Sequence, residues 1–335
     1  MTCGNSRIEI LFLSQLEVES VLEPIDGVSA AEQAYKALGE NQIAHHHIVT
    51  PMNEKGTNIY NAMPTIVRSL QQAGIKWASV YMERKPGDNL PLACCSLVIL
   101  NNPENAVPYA IMSGVPITNM RTAGGHAVVA AKYLAKKNSK TLAILGCGSE
   151  GRTGLRGFDA VFSLEQVNVY DKFPAATTAF VKDMSNKTAA KIVPKNTVEE
   201  AVKGVDMILL VTSSQEVVLK ESWVEKGCFV AGMTSFADLD PVLSVKADKW
   251  VLGTREGDGY MIIDGHGGLP VPEELSRDNV YADMGEIVTG KKVGRENDQE
   301  RILYSHLGMG PHDIILGNIA YKKAIEQGIG TKIYL

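Results

Sequence analysis

Long apolar runs are missing from this sequence: no stretch approaches the roughly 20 residues that a helix needs to cross a bilayer. Met1 to Arg7 is polar and lacks the apolar core of a signal peptide, so the expectation is a cytoplasmic protein with no membrane partner. An excess of positive charge is missing too. The 33 Lys and Arg residues stand against 38 Asp and Glu, a net charge of −5, and this removes the global basic field that would point to nucleic acid. Cysteine is scarce. Cys3, Cys94, Cys95, Cys147 and Cys228 show no zinc-like spacing, and an odd count in a large chain fits reduced thiols in a cytoplasm. Adjacent Cys94 and Cys95 read as strand residues. There is no internal repeat or low-complexity tract. What remains is a chain of 335 residues, 45% hydrophobic and 21% charged, enough for two domains that each bury a core.

The stretch that organises the chain is residues 141–151. Thr141-Leu142-Ala143-Ile144-Leu145 reads as a buried parallel strand and runs directly into Gly146-Cys147-Gly148-Ser149-Glu150-Gly151. This is Gly-x-Gly-x-x-Gly, and a helix pattern follows at Leu155, Phe158, Val161 and Phe162. Gly146 permits a tight turn, Gly148 lets backbone approach a diphosphate, and Gly151 lets helix and strand pack closely. The diphosphate is expected at the helix N-terminus, where free N–H groups and the helix dipole favour negative charge. A second strand, residues 167–170, ends in Asp171, twenty residues after Gly151. An acid there accepts the ribose hydroxyls and repels a 2′-phosphate, which favours NAD over NADP, although Lys172 beside it softens that preference. Cys147, inside the loop, is a candidate oxidant-sensitive thiol.

Before this stretch, residues 8–13 read as a strand and 18–38 as a helix. Residues 58–62, 73–80, 92–100 and 107–112 read as further strands, giving a mainly antiparallel sheet. Three consecutive histidines, His45, His46 and His47, suggest a metal. Neighbours on a strand point to opposite faces, however, and no Cys, Asp or Glu cluster accompanies them, so no metal site is expected. Lys76 sits in the middle of an apolar strand. It is either an edge-strand lysine reaching for water or a cation facing a substrate carboxylate or carbonyl. Arg121 is expected near the N-terminus of a long helix. That place is unfavourable for a cation and so suggests a ligand carboxylate or phosphate, with Thr122 as cap or phosphate contact. After the glycine loop, strand and helix alternate. Small hydroxyl residues Thr212, Ser213 and Ser214 end the strand 205–212 at the edge where open α/β sheets bind ligands. Asp238 either reaches the same crevice or caps a helix over 241–245. Residues 256–268 read as a loop and 282–290 as a helix. A last helix over 312–326 and a strand over 331–335 are expected to rejoin the first domain.

The sequence resembles the ornithine cyclodeaminase/mu-crystallin family. The resemblance is carried by Met63-Pro64, Gly74-Ile75-Lys76, Val98 to Pro103, Met120-Arg121-Thr122-Ala123, Ala130 to Ala135, Gly146-Cys147-Gly148, Met284 to Gly290, and Gly308-Met309-Gly310 with Asp313, in the family's order. Val288-Thr289-Gly290, Gly294-Arg295 and Gly328 to Thr331 look nearest to its 2,3-diaminopropionate biosynthesis branch, dehydrogenases of N-(1-amino-1-carboxy-2-ethyl)-glutamate. The resemblance implies an α/β fold, with a doubly wound Rossmann domain (123–310) inserted into an α+β substrate and dimerisation domain (1–122 and 311–335). It implies homodimers joined through the latter's sheets. It places Lys76 and Arg121 on substrate-binding and catalytic positions. It places Thr122, Gly146, Gly148, Gly151, Asp171, Thr212 and Ser213 on the cofactor, and Ser149, Glu150, Lys172, Ser214, Met233 and Gly308 are further candidate cofactor contacts.

There are departures. Where cyclodeaminases carry a glutamate before Met-Pro, this chain has Asn61. His47 is nearest to their early arginine. Thr234 and Ser235 stand at their amine-handling aspartate, with Asp238 nearby. These changes count against ornithine cyclisation. The expected activity is an NAD(H)-dependent oxidoreductase acting at the C–N bond of a small amino or imino acid. Lys76, Asp238 or His47 is expected to serve as base. The alternatives are a cyclodeaminase that recycles NAD internally and a nucleotide-binding protein without turnover.

Overall fold

The structure, a computed structural model, describes residues 7–45, 48–55, 57–81, 94–233, 236–265 and 275–335. The chain forms two compact units. The first comprises Met1–Asp26, Asn41–Thr118 and Met309–Leu335, and the second Gly27–Glu40 and Asn119–Gly308. The helical pattern of 18–38 is two helices, Gln15–Val21 and Pro24–Gly39, because Pro24 suits a first helical turn but not an interior. Most of the second helix belongs to the second unit. There Gly27 lies against Met120, and Gly39 lies so close to Gly285 that an added Cβ would come within 2.2 Å of its carbonyl oxygen.

The sheet of the first unit holds β1 (Glu9–Leu13), β2 (Ile43–His45), β3 (Asn58–Val67), β4 (Gln72–Tyr81), β5 (Cys94–Asn101), β6 (Pro108–Ser113) and the C-terminal strand Thr331–Tyr334. Their order is C-terminal strand, β1, β6, β5, β4, β3, β2. Pairing is antiparallel except between β1 and β6, so the expected antiparallel sheet carries one parallel junction. β3 runs through Met63-Pro64 rather than stopping before it. The N–H of Ala62 points away from β4 to Val49, and Pro64 has the same parity. Its missing N–H falls in the gap between that bridge and the start of β2 pairing at Thr65. The period of two sorts the side chains. Met63, Thr65, Lys76, Ala78, Val98 and Met112 are buried on one face. On the other, Phe12, Ile111, Ile99, Ile75 and Pro64 form one row across five strands, next to Leu97, Trp77 and Ala62. The helix Gly310–Gln327 covers the buried face, with Gly310 so close that a Cβ there would lie 2.4 Å from Thr65 Oγ1.

The sheet of the second unit is parallel throughout. Its strands are β7 (Thr141–Leu145), β8 (Gln166–Tyr170), β9 (Lys191–Pro194), β10 (Met207–Leu210), β11 (Phe229–Gly232), β12 (Lys249–Leu252), β13 (Val280–Asp283) and β14 (Ile302–Ser305). The order is β13, β12, β14, β11, β10, β7, β8, β9. The chain winds outward from β7 to β9, then crosses back to β10 and winds the other way. That is a doubly wound Rossmann sheet with its switch point between β7 and β10. Ala143, Leu145, Ile208, Leu210, Val230, Trp250, Leu252 and Leu303 form the core on one face. Three local expectations are corrected. Residues 280–283 are a strand, and its last residue Asp283 caps the short helix Met284–Val288, accepting a bond from Glu286 N–H. Gly259–Ile263 is π-helical rather than loop. Arg121 is not at a helix N-terminus but closes the helix Gly114–Arg121, which continues through the π-helical Thr122–Ala127 into Val128–Leu134. Among the described residues, no helix is long and apolar enough to cross a membrane.

Candidate functional site

In the second unit the three glycines behave as their spacing predicts. Gly146 has φ +108°, in the left-handed region, and a Cβ there would sit 2.6 Å from Val211 O across the switch point. A Cβ at Gly151 would lie 2.3 Å from Gly146 O, so helix and turn touch backbone to backbone. A Cβ at Gly148 would meet nothing within 4 Å. Packing therefore does not require this glycine, whereas an approaching diphosphate does. The helix Ser149–Asp159 starts here with Gly148 as its N-cap and no side-chain capping bond, which leaves its first N–H groups for an anion. The arrangement fits a dinucleotide.

Asp171, just after β8, receives the Cys147 N–H on Oδ2 at 2.8 Å and the Phe173 N–H on Oδ1 at 2.9 Å. Its carboxylate is therefore pinned at the mouth of the loop. Two N–H bonds leave lone pairs for ribose hydroxyls, since an ionised carboxylate has about four acceptor sites. Lys172 beside it is exposed. Asp171 and Lys172 line a cavity with Pro174, Thr177, Lys182 and Asn196. Arg152, which the sequence reading passed over, bonds the Cys147 carbonyl and Asp183 and lies over the Phe180 ring, tying the loop to the helix Pro174–Met184. Cys147 is not the exposed thiol expected of an oxidant sensor. It is buried, and burial pushes its thiol up to about 11, away from the reactive thiolate.

The other expected cofactor residues are placed as follows. Thr212 follows β10 and donates its hydroxyl to Asp238 Oδ2 at 2.7 Å. Ser214 N–H donates to Thr212 Oγ1, and Ser213 is exposed. Met233 is buried at the end of β11. Glu150 accepts the Ala123 N–H at 3.2 Å. Thr122 is buried inside the helical run and is not a cap. Asp238 is 1% exposed and is not the cap of the helix Val242–Lys246, whose Val242 N–H goes to Asp240 instead. Buried Arg121 lies against Gly308, whose added Cβ would come within 2.7 Å of Nη1. Thr234 and Ser235 lie outside the described residues, as do His46 and His47.

In the first unit, Lys76 is not an edge-strand lysine. It stands on β4 between β3 and β5, 2% exposed, with Nζ 2.8 Å from Asp313 Oδ1. Asp313 is wholly buried in the first turn of the helix Gly310–Gln327, where the helix dipole favours a carboxylate. Asn61 is on the same sheet face one pair along, where its Oδ1 accepts the Thr50 hydroxyl at 2.9 Å.

The second unit also holds a buried cluster that sequence reading missed. Asp258 accepts the Thr254 N–H and the Leu307 N–H, both at 2.9 Å, and faces His306 Nδ1 at 2.8 Å. The His126 ring lies 4.6 Å from that of His306, and the hydroxyls of Tyr35 and Tyr304 share a hydrogen bond. Burial pushes both phenols well above their ordinary range. The available signal was position: His306 follows β14 at the same sheet edge as Thr212.

The model of the ornithine cyclodeaminase/mu-crystallin family matches residues 9–328. The chain is 30% identical over 348 residues to the N-((2S)-2-amino-2-carboxyethyl)-L-glutamate dehydrogenase of Staphylococcus aureus, covering 98% of this chain and 99% of that one. Its fold superposes on the Delta(1)-pyrroline-2-carboxylate reductase of Thermococcus litoralis, solved with NADH and L-proline. The TM-score is 0.87 and the identity 29%, over 97% of this chain and 100% of that one. An archaeal alanine dehydrogenase dimer with bound NAD gives a TM-score of 0.85 at 28% identity, over 97% and 99%.

Proposed function

The chain belongs to the ornithine cyclodeaminase/mu-crystallin family, and we infer that it is an NAD(H)-dependent oxidoreductase acting on the C–N bond of an amino acid or N-substituted amino acid. The observation that carries this reading is the loop at Gly148. It is open where a diphosphate belongs, closed at Gly146 and Gly151, and bordered by a pinned Asp171. The named relatives support it, since they act on amino or imino acids and two solved neighbours hold NADH or NAD.

NAD(H), when bound, accepts or returns the hydride of the substrate α-carbon. The protein's share is binding and orientation. Thr122, Gly146, Gly148, Ser149, Glu150 and Gly151 would hold the diphosphate end, with Asp171 and Lys172 at the adenosine ribose. Thr212, Ser213, Ser214, Met233 and Gly308 would line the rest of the nucleotide. Arg121 and Lys76 would bind the substrate carboxylate and stabilise developing charge, with Asn61 on the same sheet face as Lys76. Asp313 holds the Lys76 ammonium in place.

The apolar row on the open face of the first unit's sheet supports a homodimer. Trp77, Leu97, Ile66 and Phe12 are each more than a third exposed there. Buried free thiols at Cys147 and Cys228 accord with a cytoplasmic setting.

The reading is tested by calorimetry with NAD and NADH, together with a panel of L-alanine, L-proline and Delta(1)-pyrroline-2-carboxylate followed through absorbance of the reduced nucleotide. Nucleotide binding and net change in NADH are expected, with Arg121→Ala and Lys76→Ala losing turnover about 100-fold or more while still binding the nucleotide. Ammonia released from ornithine or lysine without net NADH would make it a cyclodeaminase. Binding without any turnover would make it a nucleotide-binding protein.

A further inference from the structure

We propose that His306, oriented by Asp258, is the group that exchanges the proton with the substrate nitrogen. This rests on the redox reading above and names the base that reading leaves open. Oxidation of an amino acid at its α-carbon removes a hydride from carbon, with both electrons of the C–H bond, and one proton from the ammonium nitrogen, leaving a C=N bond. The hydride is the nucleotide's share. The proton needs an acceptor, and in the reverse direction the same group must return it to nitrogen.

His306 is built for that task. It follows β14 (Ile302–Ser305), whose neighbours in the sheet are β11 and β12, so its ring stands at the carboxyl edge where open parallel sheets bind ligands. Its own N–H is bonded to Gly232 O at the end of β11, which fixes the backbone. The ring lies directly over Gly253, at the end of β12. A Cβ there would come within 2.0 Å of Nδ1, so only glycine admits the imidazole in this position.

Asp258 is 1% exposed and holds two backbone N–H groups besides the imidazole. Those bonds aim it. An ionised carboxylate is acceptor-only, so Nδ1 must carry the hydrogen of the bond between them. Nε2 then becomes the position that gains or loses a proton. A carboxylate behind Nδ1 both sets this tautomer and stabilises the imidazolium, which is the orienting logic of hydrolase triads.

The surroundings favour this assignment over its rivals in the same unit. Within the second unit, the groups that face His306 include Asp258 from the turn after Gly253, His126 from the π-helical segment, Tyr35 from the helix Pro24–Gly39 at 6.1 Å and Tyr304 of its own strand at 6.2 Å, centroid to centroid. The two phenols stay protonated. The charges of Arg121 and Asp258 both act on that phenol pair, Arg121 lowering and Asp258 raising it. Arg121, the proposed carboxylate-binding cation, lies against Gly308, two residues on from His306. Asp238, the acid expected from sequence, instead takes the Thr212 hydroxyl.

The first test needs no turnover. Long-range proton–nitrogen NMR of the NADH-loaded enzyme, with the His306 signals identified by difference against His306→Gln, reports tautomer and protonation. The expected result is an Nδ1–H tautomer with Nε2 as the nitrogen that exchanges the proton. The Nε2–H tautomer, or a ring that never changes protonation state, overturns the proposal. If His306→Gln does not fold, Gly253→Ala serves for the identification, because it displaces the ring without removing it. The second test is the pH profile of kcat/KM for L-proline or L-alanine oxidation. Wild type is expected to rise with pH, as a base that must first lose its proton requires. In His306→Gln the rate should fall about 100-fold and lose that pH dependence while NADH affinity is unchanged. Asp258→Asn should lower kcat in the same way. Near-normal rate and profile in His306→Gln would sink this assignment and leave the NAD reading standing. Absence of nucleotide binding in wild type would sink the NAD reading itself, and the same NMR on the nucleotide-free enzyme would still decide whether His306 trades a proton.

Discussion

Gly148 and Gly151 sit three residues apart and should fail in opposite ways when given a methyl group. At Gly151 the Cβ meets the Gly146 carbonyl at 2.3 Å, so Gly151→Ala must move the helix off the turn and lower Tm. At Gly148 the Cβ has open space. Gly148→Ala should therefore melt like wild type yet bind NAD(H) at least tenfold more weakly by calorimetry, about 1.4 kcal/mol. If both variants kept full nucleotide affinity, the loop would not be a diphosphate site. Lys76 and Asp313 give a second residue-scale expectation. Removing one member of a buried pair strands the other charge, so Lys76→Met or Asp313→Leu alone should cost about 3–5 kcal/mol in denaturant titration, and the double variant much less. Spacing alone revealed the glycines, because each has a backbone job that only glycine performs. It did not reveal Asp313, whose meaning depends on a lysine 237 positions away.

At the scale of elements, the parallel strands β7 and β10 are joined at their N-terminal ends by Asp206. It accepts the Lys140 and Thr141 N–H groups, the Thr141 hydroxyl and the Lys136 ammonium. Burial alone would raise its carboxyl, but the bonds from Lys136, Lys140 and Thr141 outweigh it and hold it below the usual range. A carboxyl depressed in the folded state contributes stability above its unfolded value, about pH 4, and loses that contribution as pH falls through the folded value. Asp206→Ala should thus cost about 1–3 kcal/mol near neutrality, and the gap to wild type should close below about pH 4 in urea titrations. Element boundaries were the least legible feature. Pro116 and the pair Gly124-Gly125 look like helix breaks in the stretch around Arg121. In the fold Pro116 lies in a first turn, where proline is tolerated. Gly124 packs against the next helix, where a Cβ on it would come 3.0 Å from the Thr153 carbonyl oxygen and a Cβ on Gly157 2.4 Å from the Gly124 carbonyl oxygen.

For the whole molecule, the open face of the first unit's sheet sets the expectation of assembly. Trp77 stacks on Tyr60 in that face and is 43% exposed. Trp77→Glu should convert a dimer to a monomer in sedimentation velocity without lowering nucleotide affinity. A wild-type chain sedimenting as a monomer at micromolar concentration would end the dimer reading.

What the amino-acid order determines by itself is whatever rests on neighbours in the chain. The glycine turn, the strand before it, the acid twenty residues on and the two-sided patterning of β3 to β5 are local periods and backbone freedoms. They suffice for the doubly wound sheet and its cofactor. The tertiary structure decides which polar groups meet once buried. Lys76 became interior because β3 and β5 flank β4. Asp238 turned to Thr212, and Asp258 reached His306 across a sequence separation of 48. A buried charge is stable only with its partner, and partners brought together by sheet order leave no period for the sequence to display.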